Sequence, residues 1–169
     1  MSMIGRYVRL TAAELDRALA DPAWALLRVE ELRDEEDEWE EEAPPREPRS
    51  HSTDKTWHAL HFLLGRHPVP VDVVHGEEDL PGADDWGYGP PRYLTPDQVR
   101  RATEALAAVT PEALPAGARP ADLAAAGVYP TAVWERDEPL DWVIAHYQDL
   151  TRFLRIAARY RQAVVVWVD

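Results

Sequence analysis

The last stretch of the sequence constrains the fold more than any other. Residues Ala163–Val168 read AVVVWV, without a polar side chain. A strand with one solvated face alternates polar and apolar residues, so a strand that is apolar throughout is buried on both faces. The sequence therefore predicts a sheet that contains this strand and is covered by helices.

The first thirty residues predict one strand followed by two helices. Residues 3–10 alternate apolar and polar side chains, which indicates a short strand. Thr11 and Glu14 have the spacing of a capping box, so a helix is expected through Ala20. A second helix is expected to begin at Pro22, because proline is favoured at the first helical position.

The rest of the chain alternates helical and strand-like patterns without a regular βαβ repeat. This pattern favours the α+β class: one compact domain over 1–169, with a small mixed sheet that includes the N- and C-terminal strands. The further predicted elements are a helix over 55–65 capped by Asp54, a strand over 69–74, a loop over 77–94, a helix from the Thr95–Gln98 capping box to 108, and a helix over 139–161.

The negative charge is concentrated in one segment. Residues 30–42 hold ten acids and one arginine, which is −9 of the net −13, and leave −4 on the other 156 residues. Because this run continues into Pro44, Pro45 and Pro48, a flexible acidic loop is predicted at about 34–53. A calcium site, a docking tail for a basic partner and a solvated insertion remain open for it, although the spaced ligand pattern of a calcium loop is lacking.

Composition excludes several classes of function. Net negative charge argues against binding to nucleic acid and to anionic membranes, which both require clustered cations. There is no cysteine, no Walker sequence and no serine in a nucleophile elbow, so no cofactor is predicted. No apolar run has the length of a signal peptide or a membrane span, so a cytoplasmic location is expected.

A helix carries the histidines with the best spacing for a metal. His58 and His61 lie three residues apart, and Asp54 precedes His58 by one turn. One interpretation is an Asp/His/His metal site, with His75, Glu77 and Glu78 as supplementary ligands. The other is structural, with Asp54 as the helix cap and the imidazoles used in packing and hydrogen bonds.

A loop rich in glycine and aromatic residues supplies the other candidate site. Its glycines allow a tight turn or a close approach of the backbone to a ligand, and its arginine can bind a carboxylate or phosphate. Packing of the aromatic side chains on the sheet edge, with the arginine paired to an acid, is the competing interpretation. The candidate pocket residues are Trp57, His58, His61, Trp86, Tyr88, Arg92 and Tyr93.

Several blocks of the sequence resemble one bacterial family. MIGRYVRLT begins at residue 3, DKTWHALHFLL at 54, GYGPPRYLTPDQV at 87 and VYPTAVW at 128. Together with the last helix and strand, these blocks are similar to the YfbM-like family, a family of unknown function. The resemblance implies one compact α+β domain and no established activity, cofactor or catalytic residue.

Two hypotheses of function follow. The first is a non-catalytic binding or interaction protein of the cytoplasm, of the immunity type, that captures a basic protein partner. The second is a small-molecule-binding protein or an enzyme in which one histidine of the His/Tyr/Arg-lined cleft acts as a general base. The sequence favours the first, because it lacks the residues of a nucleophilic mechanism.

Overall fold

The computed structural model describes residues 1–39 and 46–169 of the chain. Its strands are β1 (Gly5–Leu10), β2 (Ser50–Asp54), β3 (Glu78–Asp79), β4 (Arg92–Leu94) and β5 (Ala163–Val168). They form one antiparallel sheet with the strand order β2-β1-β5-β4-β3, in place of the mixed sheet expected. The α+β class and the presence of both terminal strands in the sheet are confirmed, and the structure adds that these two strands pair with each other.

Helices cover both faces of the sheet. They are α1 (Ala12–Ala20), α2 (Pro22–Asp37), α3 (Trp57–Leu64), α4 (Pro96–Leu106), α5 (Pro120–Ala125), α6 (Thr131–Glu135) and α7 (Asp141–Arg159). Within the described residues, no helix is long and apolar enough to cross a membrane.

The predicted burial of β5 on both faces is confirmed, because β5 is the middle strand. It pairs with β1 on one side and with β4 on the other. Its residues 163–166 are at most 2% exposed. Residues 164–166 have a hydrogen-bonded strand on each side, and their side chains enter the two core clusters on opposite faces of the sheet.

The alternation of side chains along the strands divides the core into two clusters. Tyr7 and Val166, which are paired across β1 and β5, face the larger cluster, which includes residues of α3, α4 and α7. Val8 and Val165, the next pair, face the smaller cluster with α1 and α2. Successive residues of a strand point to opposite faces, so a one-residue register shift would exchange the two cores.

Both predicted capping boxes are confirmed. Thr11 accepts a hydrogen bond from the Glu14 amide at 3.2 Å, and the Glu14 carboxylate accepts from the Thr11 amide at 2.8 Å. Thr95 and Gln98 form the same pair at the start of α4. Glu14 also accepts hydrogen bonds from Arg28 and Arg49, so it joins α1 to α2 and to the residue before β2.

The predicted strand over 69–74 is wrong. These residues form bends and turns, while Val71, Val73 and Val74 are buried. Their apolar run resembles a buried strand because the valines anchor a loop in the core. The predicted cap is also wrong: α3 follows Thr56, and Asp54 ends β2 with a φ of +48°.

The acidic segment is bounded more narrowly than the sequence suggested. Helix α2 continues to Asp37, and β2 begins at Ser50. The Glu36 carboxylate accepts hydrogen bonds from the Arg49 and Ser50 amides, which fixes the return of the chain to the sheet. Residues 40–45 of the predicted loop lie outside the described residues.

Glu14→Gln tests the join between α1, α2 and β2. Burial raises the pKa of Glu14, but hydrogen bonds from Arg49, Thr11 and Arg28 outweigh it and lower the pKa to about 2. The ionised form therefore stabilises the fold above the pKa of an unfolded glutamate, near 4.3, and this contribution disappears as the pH falls toward 2. We expect Glu14→Gln to lower the free energy of unfolding by about 1 kcal/mol at pH 7.

Urea unfolding at pH 7 and at pH 3 measures this effect, with Glu104→Gln as the matched control. Glu104 forms an exposed pair with Arg100 on α4, so its loss is expected to cost less than about 0.5 kcal/mol. If the free energies of unfolding of wild type and Glu14→Gln differ by the same amount at both pH values, the ionised Glu14 carboxylate is not the source of the stabilisation.

Candidate functional site

The His58 side chain packs against a neighbouring aromatic ring and accepts a hydrogen bond from the backbone. Its ring stacks on Trp57 with centroids 5.1 Å apart. Its Nδ1 accepts a hydrogen bond from the Tyr129 amide at 2.9 Å. Burial lowers the pKa of His58, as do the neighbouring His61 and His75. This is the structural role that the sequence left open for one of the two histidines.

His61 lies on α3 one turn further on and faces the loop that follows the helix. Its Nδ1 is 3.8 Å from Oδ1 of Asp72. The other carboxylate oxygen of Asp72 is 3.1 Å from Nδ1 of His75, and the two imidazole centroids are 4.5 Å apart. One potential ligand atom from each of these residues lies within 4.8 Å of the others. We call His61, Asp72 and His75 the histidine cluster.

The loop holds Asp72 in a fixed position. Oδ1 of Asp72 accepts hydrogen bonds from the amides of Val74 and His75 at 3.0 and 2.9 Å. The amide of Asp72 donates to the Glu77 carboxylate at 2.5 Å. Because the valines on either side are buried, the carboxylate and the His75 ring remain at the surface between anchored backbone positions.

The charge state of Asp72 follows from these contacts. Burial raises the pKa of its carboxyl group, but hydrogen bonds from the ring and amide of His75 and from Val74 outweigh burial and lower the pKa to about 2. The carboxylate is thus ionised at neutral pH. An ionised carboxylate beside two imidazoles can hold a cation or orient a proton.

The aromatic loop has a structural role at the sheet edge. Trp86 packs edge-on against Trp167, with centroids 5.3 Å apart. Tyr93 packs against the smaller core cluster. Arg92 pairs with Asp79 and donates to the carbonyl oxygens of Gly76 and Glu77. These contacts match the competing interpretation given above, in which the aromatics pack and the arginine pairs with an acid.

The candidate residues occupy neighbouring depressions rather than one cleft. His61 and Asp72 line an open depression of about 220 Å³. His75 lines another, of about 140 Å³, with Tyr88 and Arg92. His58 and Asp54 line neither of them. The structure therefore does not bring both helix histidines together with the tyrosine and arginine.

Sequence reasoning missed Asp72 and treated His75 only as a supplement. The available signal is an Asp-x-x-His spacing inside an otherwise apolar run, PVPVDVVH. A lone acid at this position is incompatible with a buried strand, and it forms the kind of side-chain-to-backbone turn that aspartate favours.

The end of α2 forms a second distinctive surface. Asp34, Glu35, Asp37 and Glu38 are exposed at the C-terminal end of this helix, where no basic residue occupies the last turn. Glu35 lies 3.6 Å from Arg28. In the described ranges 1–39 and 46–169, the other three have no ion pair. We call these four residues the acidic helix end.

The fold defines a compact protein of the α+β class. Residues 1–167 match the family described as Domain of unknown function (DUF1877), and the chain belongs to this family. The chain is similar in structure to the protein of unknown function YfbM from Escherichia coli, with a TM-score of 0.63 and 14% sequence identity. The match covers 98% of this chain and 99% of that one, which confirms the fold. No curated protein matches the chain.

Gly87→Ala tests whether the glycine of the aromatic loop serves the fold. A Cβ at position 87 would overlap the carbonyl oxygen of Val168, which accepts a hydrogen bond from the Tyr88 amide at 2.9 Å. We expect Gly87→Ala to lower the free energy of unfolding by about 2 kcal/mol, because the loop must move away from β5. Hydrogen exchange of the Tyr88 amide should become faster.

Gly65→Ala is the matched control for this substitution. Gly65 has a φ of −60°, a helical value that alanine adopts readily. We expect its stability to stay within about 1 kcal/mol of wild type. If Gly87→Ala unfolds at the same urea concentration as wild type, the close approach of loop and strand does not stabilise the protein.

Proposed function

We propose that this chain is a non-catalytic, immunity-like binding protein of the cytoplasm that captures a basic protein partner with the acidic helix end. The observation that carries the proposal is the placement of these acids at the C-terminus of α2. The negative end of the helix macrodipole is the position at which acidic side chains are least stable.

The placement of these acids at the C-terminal end of α2 destabilises the protein when no partner is bound. A charged side chain at an exposed helix end changes the free energy of unfolding by about 0.3–1 kcal/mol. At the C-terminal end of a helix a negative charge is destabilising, so each of these acids lowers the stability of the free protein. Neighbouring acids one turn apart, such as Asp34 and Glu38, also repel each other. Lysine or arginine side chains of a partner would neutralise both effects, so the surface is complementary to a basic protein.

The acidic helix end belongs to a helix whose neighbouring residues are anchored to the sheet. Glu36 accepts hydrogen bonds from the amides of Arg49 and Ser50, where β2 begins, and Arg9 donates to the carbonyl oxygens of Glu47 and Pro48. A surface anchored in this way presents its negative potential in a defined direction, which speeds association with an oppositely charged partner. A deletion of the whole segment would remove these anchors, so point substitutions are the appropriate test.

The alternative of a catalytic cleft receives less support from the structure. General base catalysis by His58 would require a free ring nitrogen near the substrate, but its Nδ1 accepts from the Tyr129 amide. Arg92 is engaged by Asp79 and two backbone carbonyl groups.

Capture of partners from native lysate tests the proposal. The variant Asp34→Asn/Asp37→Asn/Glu38→Gln removes three charges from the acidic helix end. The control Asp97→Asn/Glu104→Gln/Glu112→Gln removes three exposed charges on or after α4. We expect wild type and control to retain a stoichiometric basic protein at low salt, with less retained at moderate salt, and the α2 variant to lose it.

Two results would contradict the proposal: a partner retained equally by the α2 variant, or the recovery of no stoichiometric basic protein by wild type at either salt concentration. Equal losses from the α2 variant and the control would indicate that net charge alone, without the helix end, determines capture.

Thermal unfolding of the same variants tests the electrostatic argument without a partner. The α2 variant should be more stable than wild type, by about 0.5–1 kcal/mol, because its substitutions relieve charge at the negative end of a helix. The control should be less stable, since Asp97 lies in the first turn of α4, where a negative charge is favourable. Equal shifts of both variants would exclude the helix dipole as the cause.

A further inference from the structure

We propose that His61, Asp72 and His75 bind one divalent transition-metal ion of the Zn²⁺ type. The site is separate from the acidic helix end and does not depend on the proposed partner. It is built from one helical position and two positions of the anchored loop, and it uses two imidazole nitrogens and one carboxylate oxygen.

The distances in the histidine cluster suit such an ion. Zinc binds imidazole nitrogen at about 2.0–2.1 Å and carboxylate oxygen at about 2.0–2.2 Å, which places neighbouring tetrahedral ligands about 3.3 Å apart. The Nδ1 of His75 is 3.1 Å from Oδ2 of Asp72, and the Nδ1 of His61 is 3.8 Å from Oδ1 of the same carboxylate. The three donor atoms, which lie within 4.8 Å of one another, must therefore approach further to share one ion, and the half-exposed His61 side chain leaves room for this movement.

Two of the three ligands are already oriented by hydrogen bonds and packing. Asp72 accepts from two backbone amides, while its own amide is held by the Glu77 carboxylate. The His75 ring lies edge-on to Trp57 with centroids 6.0 Å apart. Contacts of this kind around the ligands typically strengthen metal affinity, because the site loses little conformational freedom on binding.

The donor set indicates the class of metal. Imidazole nitrogen suits zinc, copper, nickel and cobalt, whereas calcium and magnesium require oxygen ligands in larger numbers. Three protein ligands leave a fourth tetrahedral position, and the cluster borders an open depression from which water or a ligand group can approach. His58 is outside the set, since its Nδ1 already accepts from the Tyr129 amide.

A purely structural role explains only part of the cluster. The pair of Asp72 and His75 closes the loop turn and requires no third residue. His61 adds no hydrogen bond to that turn, because its Nδ1 is 3.8 Å from the carboxylate, and about half of its side chain is exposed. A metal ion bound by all three residues would explain why His61 lies edge-on to His75 and close to the same carboxylate, Asp72.

Titration of the full chain with Zn²⁺ tests the site. Protein stripped of metal with a chelator is titrated by calorimetry at pH 7.5, and Co²⁺ absorption reports tetrahedral coordination. We expect one equivalent to bind with micromolar affinity or better and to raise the melting temperature. His61→Gln and Asp72→Asn should each weaken binding at least about tenfold.

The control is His67→Gln, which alters a partly exposed histidine whose Nε2 lies 3.0 Å from the Leu114 carbonyl oxygen and not in the cluster. It should bind as wild type does. His61→Gln changes an exposed side chain, and its circular dichroism should equal that of wild type, so that a loss of binding is separated from a loss of fold. The absence of saturable binding by wild type, or unchanged affinity in both cluster variants, would overturn the proposal.

Discussion

The burial of β5 between β1 and β4 is the constraint on which the rest of the structure depends. An apolar strand at the centre of a sheet requires helices on both faces, and the register of Tyr7 opposite Val166 assigns each side chain to one of two cores. The same strand fixes the aromatic loop, because the carbonyl oxygen of Val168 accepts from the Tyr88 amide. The loop glycine at position 87 is explained by this approach to β5 without reference to a ligand.

Polar contacts then attach the less regular segments to this core. Arg9 is 3% exposed on β1, donates to Gln162 at 2.5 Å and holds the carbonyl oxygens of two residues before β2. A buried guanidinium must have such partners, since an unpaired one would lose several kcal/mol of hydration. Arg49 links the same residues to Glu14. The net charge of −13 therefore includes acids with structural partners. It also includes Asp34, Asp37 and Glu38 at the end of α2, which are exposed and form no ion pair with the residues that the structure describes.

Local signals in the sequence were sufficient for most of the fold, and the exceptions have physical causes. The capping boxes at Thr11 and Thr95 and the apolar run of β5 depend on neighbouring residues alone, so they could be predicted. The buried valines of 69–74 could not be distinguished from a strand, because burial in a loop leaves the same composition. For the same reason Asp72, the central residue of the histidine cluster, was not recognised: its partners His61 and His75 come together only when that loop folds against α3.

The two surfaces belong to elements that cover opposite faces of the sheet. Residues of α2 such as Val29 and Leu32 pack in the smaller core cluster, whereas Leu60 and Leu63 of α3 pack in the larger one. Residues in separate packing clusters with no shared partners usually contribute additively to stability and binding. A charge substitution at the acidic helix end should thus leave the histidine cluster unchanged, and each surface can serve as the internal control for the other. If a substitution at one surface changed binding at the other, the effect would have to be transmitted through β1 and β5, because these strands contribute side chains to both core clusters.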